Sequence, residues 1–251
     1  MEIRVEAHGR HIAVVTIDNR PRRNALTRAM LVELAALWDR LDQSDCRCVI
    51  LTGAGEKAFS SGADLSGDLS ATPDTAHVIN RALLKDTPFA KPIVAAVNGD
   101  CIAGGVELLL STDIRAAVPQ ARFGFPEVKW GIYPFGGATV KLVHQIGYVH
   151  AMDLLLTGRL VDAAFADRLG LINRIEAPER LMEWAVETAE LIAANSPAAV
   201  QAVKQQISAS IADYAKSREA LEQDLGDRVR ASRDFSEGLA AFREKRKPDY
   251  S

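Results

Sequence analysis

The stretch CIAGGVELLL (residues 101–110) sets a single carboxylate, Glu107, in an apolar run directly after Gly104 and Gly105. Just upstream, PIVAAVNG (92–99) has the composition of a buried strand. Strand, glycine pair and a helix from about Gly105 to Thr112 together make a strand-to-helix turn. The first N–H groups of that helix have no partner within it, and they lie at the positive end of its dipole. Such a turn can simply start a helix, with an acid favourably placed in the first turn. It can also hold a negative oxygen, because glycine lets a ligand approach the backbone. A charge in apolar surroundings is costly unless something pairs or uses it, so Glu107 is worth following outward.

On the N-terminal side, IRVEAHGRHIAVVTI (3–17) reads as two strands turning near Gly9, and DNRPRRNAL (18–26) as turn chemistry. Residues 27–43 repeat apolar side chains at helical spacing (Met30, Leu31, Leu34, Leu37, Trp38, Leu41), with Thr27 as N-cap. RCVILTG (47–53) is a short buried strand, and residues 54–75 form a long loop rich in Gly, Ser and Asp. On the C-terminal side, 113–118 and 121–125 read as strands. Helices follow at 137–146, 148–157, 162–170, 179–195, 197–224 and 232–247. Alternation of strand and helix predicts an α/β fold with right-handed crossovers. The division expected is a core of residues 1–195 and a helical region of residues 196–251.

The 251 residues are 48% hydrophobic and 25% charged, with net charge −3. That balance gives no basic excess for nucleic acid or an anionic membrane. The N-terminus lacks a signal-like apolar core, and no run approaches the roughly 18 apolar residues of a membrane span. A cytoplasmic location is therefore expected. Three cysteines (Cys46, Cys48, Cys101) offer neither a disulfide framework nor a CxxC zinc pair and read as reduced thiols. The five histidines show no metal spacing such as HExxH. GxSxG and GxGxxG are both absent, which argues against a serine-hydrolase elbow and a dinucleotide site.

Two further stretches matter. FSSGADL (59–65) offers a second set of backbone N–H groups beside a glycine. FGFPEVKWGIYPFGGATVKL (123–142) carries a second acid, Glu127, between apolar neighbours. Taken alone, the first is a turn and the second a solvated loop acid. Together with Gly104-Gly105 and Glu107, and with RNAL (23–26), KAFSSGADL (57–65), AAVNG (95–99), AGGVEL (103–108), FGFPE (123–127) and FREKR (242–246) in this order, they resemble the crotonase family of enoyl-CoA hydratases and isomerases. The resemblance runs from about residue 3 to 250.

It implies the ClpP/crotonase spiral of β-β-α units with a C-terminal helical trimerisation region, and a homotrimer or dimer of trimers. It implies an acyl-CoA substrate, with CoA part of the substrate, no separate cofactor and no metal. The thioester oxygen would sit between the N–H groups of Ala63 and Gly104. Glu107 would take a proton from water, and Glu127 would deliver one to C2. CoA contacts are expected around Arg22, Arg23, Ala25, Lys57, Ala63, Asp64, Leu65, Ser66 and Lys245, although each basic side chain alone also reads as solvated surface. Retention of both acids favours hydration of a 2-enoyl-CoA to a 3-hydroxyacyl-CoA in fatty acid or lipid metabolism. The alternatives are another crotonase-family reaction (isomerisation, hydrolysis or carbon–carbon cleavage) and a non-catalytic acyl-CoA-binding protein. The chain departs from the family's GxxPGxGGTQRL pattern at Phe135 and at Val140-Lys141. Phe135 reads either as an acyl-pocket residue or as packing beneath the following helix.

Overall fold

The computed structural model describes residues 1–64 and 73–251, with the side chains of 73–75 outside the description. Two sheets form the core. The larger has six strands in the order β1 (Glu2–His8), β2 (Ile12–Asp18), β3 (Cys48–Gly53), β5 (Ile93–Val97), β7 (Ile114–Ala117) and β10 (Arg174–Ile175). Within this sheet, among the described residues, β1 and β2 pair antiparallel, and β2, β3, β5, β7 and β10 pair in parallel. The smaller sheet runs β4 (Ala58–Ser60), β6 (Asp100–Ile102), β8 (Arg122–Gly124), β9 (Val161–Asp162). Each central strand of the large sheet thus feeds a short strand of the small one: β3 into β4, β5 into β6, β7 into β8. Helices α2 (Pro73–Ala82) and α3 (Gly104–Leu109) close the first two of these units, which makes the β-β-α spiral. Every residue of β3 and β5 is buried, as parallel strands covered on both faces must be.

The remaining helices are α1 (Arg28–Asp42), α4 (Ala138–Ile146), α5 (Tyr148–Thr157), α6 (Ala163–Arg168), α7 (Leu181–Ala194), α8 (Pro197–Arg230) and α9 (Arg233–Glu244). Thr27 caps α1 as its position predicts, its hydroxyl accepting the Met30 N–H at 3.3 Å. The apolar residues read at helical spacing all face the core. Three expectations need correction. The stretch 54–75 contains β4 and the start of α2 and is not one long loop. Asp100–Ile102 forms β6 before the glycines, a strand too short for periodicity to reveal. The helix expected to end at 224 continues to Arg230, through Gly226. All three cysteines are free thiols.

Candidate active site

The site lies where the small sheet hands over to α3. Ala103 is the N-cap of α3 and has φ 55° and ψ −126°, a conformation unusual for a residue with a Cβ. Its N–H donates to the Gly124 carbonyl at 2.9 Å, which ties the turn to β8. The turn leaves Gly104 at the first helical position. Gly62, at φ 89°, lies against it so closely that a Cβ there would come within 2.9 Å of the Gly104 nitrogen. A Cβ on Gly104 would in turn lie 3.5 Å from the Ala63 nitrogen. The pairing of Leu26 with this loop uses the Gly62 carbonyl and the Asp64 N–H. Among the described residues, neither the Ala63 nor the Gly104 N–H has an acceptor, and both residues are at least partly exposed. Two backbone donors therefore stand side by side at the cleft surface, at the positive end of α3.

Glu107 follows one turn along α3 and is only 5% exposed. Its Oε1 accepts the Ala138 N–H at 3.2 Å, so the carboxylate sits on the first turn of α4. Burial raises its pKa and Glu222 adds to the rise; the N–H groups of Ala138 and Gly136 and the charge of Lys85 oppose it. Gly136 leaves the carboxylate room, since a methyl group there would collide with Glu107 Oε2 and with Leu83. Glu127 projects from the 3-10 turn Pro126–Trp130 and is 9% exposed. Burial raises its pKa, and the Glu107 charge raises it further. Its Oε2 is buried without a hydrogen-bond partner among the described residues.

The residues expected to hold CoA fall into two places. Arg22 bonds Asp64 at 2.9 Å. Arg23 bonds the buried Asp100 at 2.5 Å, and Arg122 bonds the same carboxylate. Arg22 and Arg23 belong to the turn in which Arg23 and Asn24 are left-handed. Asn24 braces that turn by donating to the Ala54 and Ala58 carbonyls, and the Ala25 carbonyl accepts from Asn19. Lys57 is exposed on the loop entering β4, next in sequence to Ala58, whose carbonyl Asn24 holds. Lys245 ends α9 and lines a separate groove of about 980 Å³ with Lys129, Trp130 and Phe242. Leu65 and Ser66 lie outside the described residues. Phe135 packs under α8: its ring meets Gly226, stacks edge-on to Tyr133 at 5.2 Å, and lies 4.5 Å beneath the Arg230 guanidinium.

Sequence reasoning did not single out Lys85, Thr139 or Glu222. Lys85 and Glu222 form an ion pair at 2.9 Å with each side chain 5% exposed, and Thr139 Oγ1 donates to Glu222 at 2.7 Å. Nothing local marks Glu222, one of many charged residues on a 34-residue helix. Lys141, noted only as a departure from a motif, is buried with its ammonium on the Leu84 carbonyl and Ser111 Oγ. Burial lowers its pKa to about 7.

A strained turn offering paired N–H donors, with two buried acids beside it, is chemically able to hold a negative oxygen and to exchange protons. The sequence profile of the enoyl-CoA hydratase/isomerase family matches residues 7–251, and the chain belongs to that family. The enoyl-CoA hydratase EchA19 of Mycobacterium tuberculosis is 42% identical over 254 residues, covering 98% of this chain and 95% of the relative. The short-chain-enoyl-CoA hydratase of Clostridium acetobutylicum is 37% identical over 94% of this chain and 92% of its own. Among solved structures, the carnitinyl-CoA hydratase of Mycobacterium avium superposes with TM-score 0.90 at 32% identity, covering 99% of this chain and 98% of that one. The fold is the crotonase fold, and the family membership makes the protein an enzyme of acyl-CoA chemistry.

Proposed function

We propose that the protein hydrates a 2-enoyl-CoA to a 3-hydroxyacyl-CoA. The observation that carries this reading is the pair of buried, mutually repelling carboxylates, Glu107 and Glu127, beside the two N–H donors of Ala63 and Gly104. Isomerisation needs to move only one proton; hydration needs one proton removed from water and one delivered to carbon. Two carboxyl groups sharing a site lose their protons in separate steps. Glu107 has an N–H donor and a nearby lysine to favour its charged form, whereas Glu127 has a buried oxygen with no donor. Glu107 therefore ionises first, and the working form is Glu107 carboxylate with Glu127 carboxylic acid. Water oxygen bonds to C3 as its proton passes to Glu107. The C2–C3 π electrons move toward the thioester, whose oxygen becomes an enolate between the Ala63 and Gly104 N–H groups. Glu127 then gives its proton to C2. Exchange with solvent restores both acids, and the sum is one water added. CoA is substrate in this reading, and the basic residues Arg22, Arg23, Lys57 and Lys245 supply charge for its phosphates.

The test is a panel of 2-enoyl-CoAs with short, long and cyclic acyl groups, followed by loss of the conjugated absorbance and by product mass. A gain of one water is expected. Glu107→Gln and Glu127→Gln are each expected to lower kcat by about 10²–10⁴-fold. A moved double bond with no mass gain would replace hydration by isomerisation. CoA binding without turnover would leave a binding protein.

A further inference from the structure

The Lys85–Glu222 pair lies behind Glu107 and outside the reaction just described. Lys85 is placed by the end of α2. There the Leu84 N–H bonds the Arg81 carbonyl and the Lys85 N–H bonds the Asn80 carbonyl, a helix stop that normally carries glycine at its left-handed position. Here that position is Leu84, at φ 51° and buried. A leucine is held there at a conformational cost. The strained turn points Lys85 inward, its stem within 3.5 Å of where a Cβ on Gly137 would lie. Glu222 comes from the opposite direction, on α8, and accepts from Thr139 in the first turn of α4. That first turn also supplies the Ala138 N–H to Glu107. One helical turn is therefore held by Glu107 on one side and by the ion pair on the other.

Burying an ion pair seldom improves stability over an apolar alternative, so a pair kept behind an acid calls for another explanation. We propose that Lys85 and Glu222 are positioning residues for Glu107, holding α4 against its carboxylate and, by the balance of their opposite charges, keeping it in its proton-accepting form. The inference rests on the hydration reading above. The charged and titratable groups facing Glu107 are Lys85 from the α2 turn, Glu222 from α8, Lys141 from α4, Glu127 from the 3-10 turn, and Tyr133. Of these, Lys85 and Glu222 are the ones joined to each other in an ion pair.

The experiment measures the acidic limb of kcat/KM, and separately the infrared titration of the Glu107 carboxyl, identified by its loss in Glu107→Gln. Glu222→Gln leaves Lys85 unbalanced, so both readouts are expected to move to lower pH, by on the order of half to one unit. Lys85→Met is expected to move them upward. The double variant Lys85→Met/Glu222→Gln, which removes both charges, is expected to titrate between the two single variants and above the wild type, because Lys85 lowers the Glu107 value more than Glu222 raises it. A purely structural pair predicts instead that the double variant is impaired at least as much as either single one, with no signed shift. A folded single variant whose titration stays in place, or shifts of the same sign in both, would overturn the inference. Failure of the wild type to hydrate any enoyl-CoA would remove the hydration reading while the infrared titration still decided the charge coupling.

Discussion

Ala103 shows how one residue's backbone shapes the chemistry. Its φ of 55° with ψ of −126° is a region that glycine occupies freely and alanine at a cost of order 1–3 kcal/mol. The strain turns the chain so that Gly104 opens α3 with its N–H outward. Ala103→Gly is expected to raise stability by about 1 kcal/mol, read as a higher Tm, with the N–H geometry kept. The two acids make the opposite kind of statement. Both have pKa values raised above the ordinary carboxylate value by burial. The folded state therefore holds protons that the unfolded state has released, and stability falls as pH rises from about 4.5 through the folded values. Glu127→Gln escapes that loss. Relative to wild type, it is expected to be stabilised at pH 9 by on the order of 2 kcal/mol more than at pH 5, as denaturant midpoints at the two pH values would show.

At the scale of elements, α3 is six residues long and gains little from its own hydrogen bonds, so its position comes from packing. Gly105 makes that packing possible: a Cβ there would collide with the Ser60 backbone carbonyl of β4. Gly105→Ala is expected to push α3 off the small sheet at a cost of about 1–3 kcal/mol. Because Gly104 and Glu107 ride on the same helix, the folded remainder is expected to lose at least 10-fold in kcat. A denaturation curve and a rate on the same sample would separate the two effects. Gly226 has the corresponding role on α8, where a methyl would enter the Phe135 ring. Phe135 thus seats α8, the helix that carries Glu222 toward the site.

For the whole molecule, α5, α7 and α8 leave large apolar side chains exposed, among them Val149, Leu191, Val203 and Ile207. Isolated exposed apolar residues need no explanation, but Val203 and Ile207 stand one turn apart on the same face of α8. The assembly expected from the resemblance is a trimer or dimer of trimers. Light scattering should then give three or six times the 27.2 kDa of one chain. A mass of one chain would remove that expectation without touching the site. No helix among the described residues is long and apolar enough to cross a membrane.

The motifs around Gly62, Gly104, Glu107 and Glu127 were legible in the sequence because each depends on residue type at short range. Glycine permits close backbone approach, a carboxylate stands out in an apolar run, and strands such as CVILTG read as buried from composition alone. Their order carries the resemblance to the family, and it is the resemblance that implies the β-β-α core. Tertiary structure alone decided which groups meet. The strands β4 and β6 are too short to carry a period, so the small sheet that brings Gly62 against Gly104 was invisible. The contact of Lys85 with Glu222 spans 137 positions, and neither residue differs locally from a surface charge. Hydrophobic pattern records which side of an element is buried. It doesn't record which distant charge lies there, because partner choice depends on how the packed elements cross.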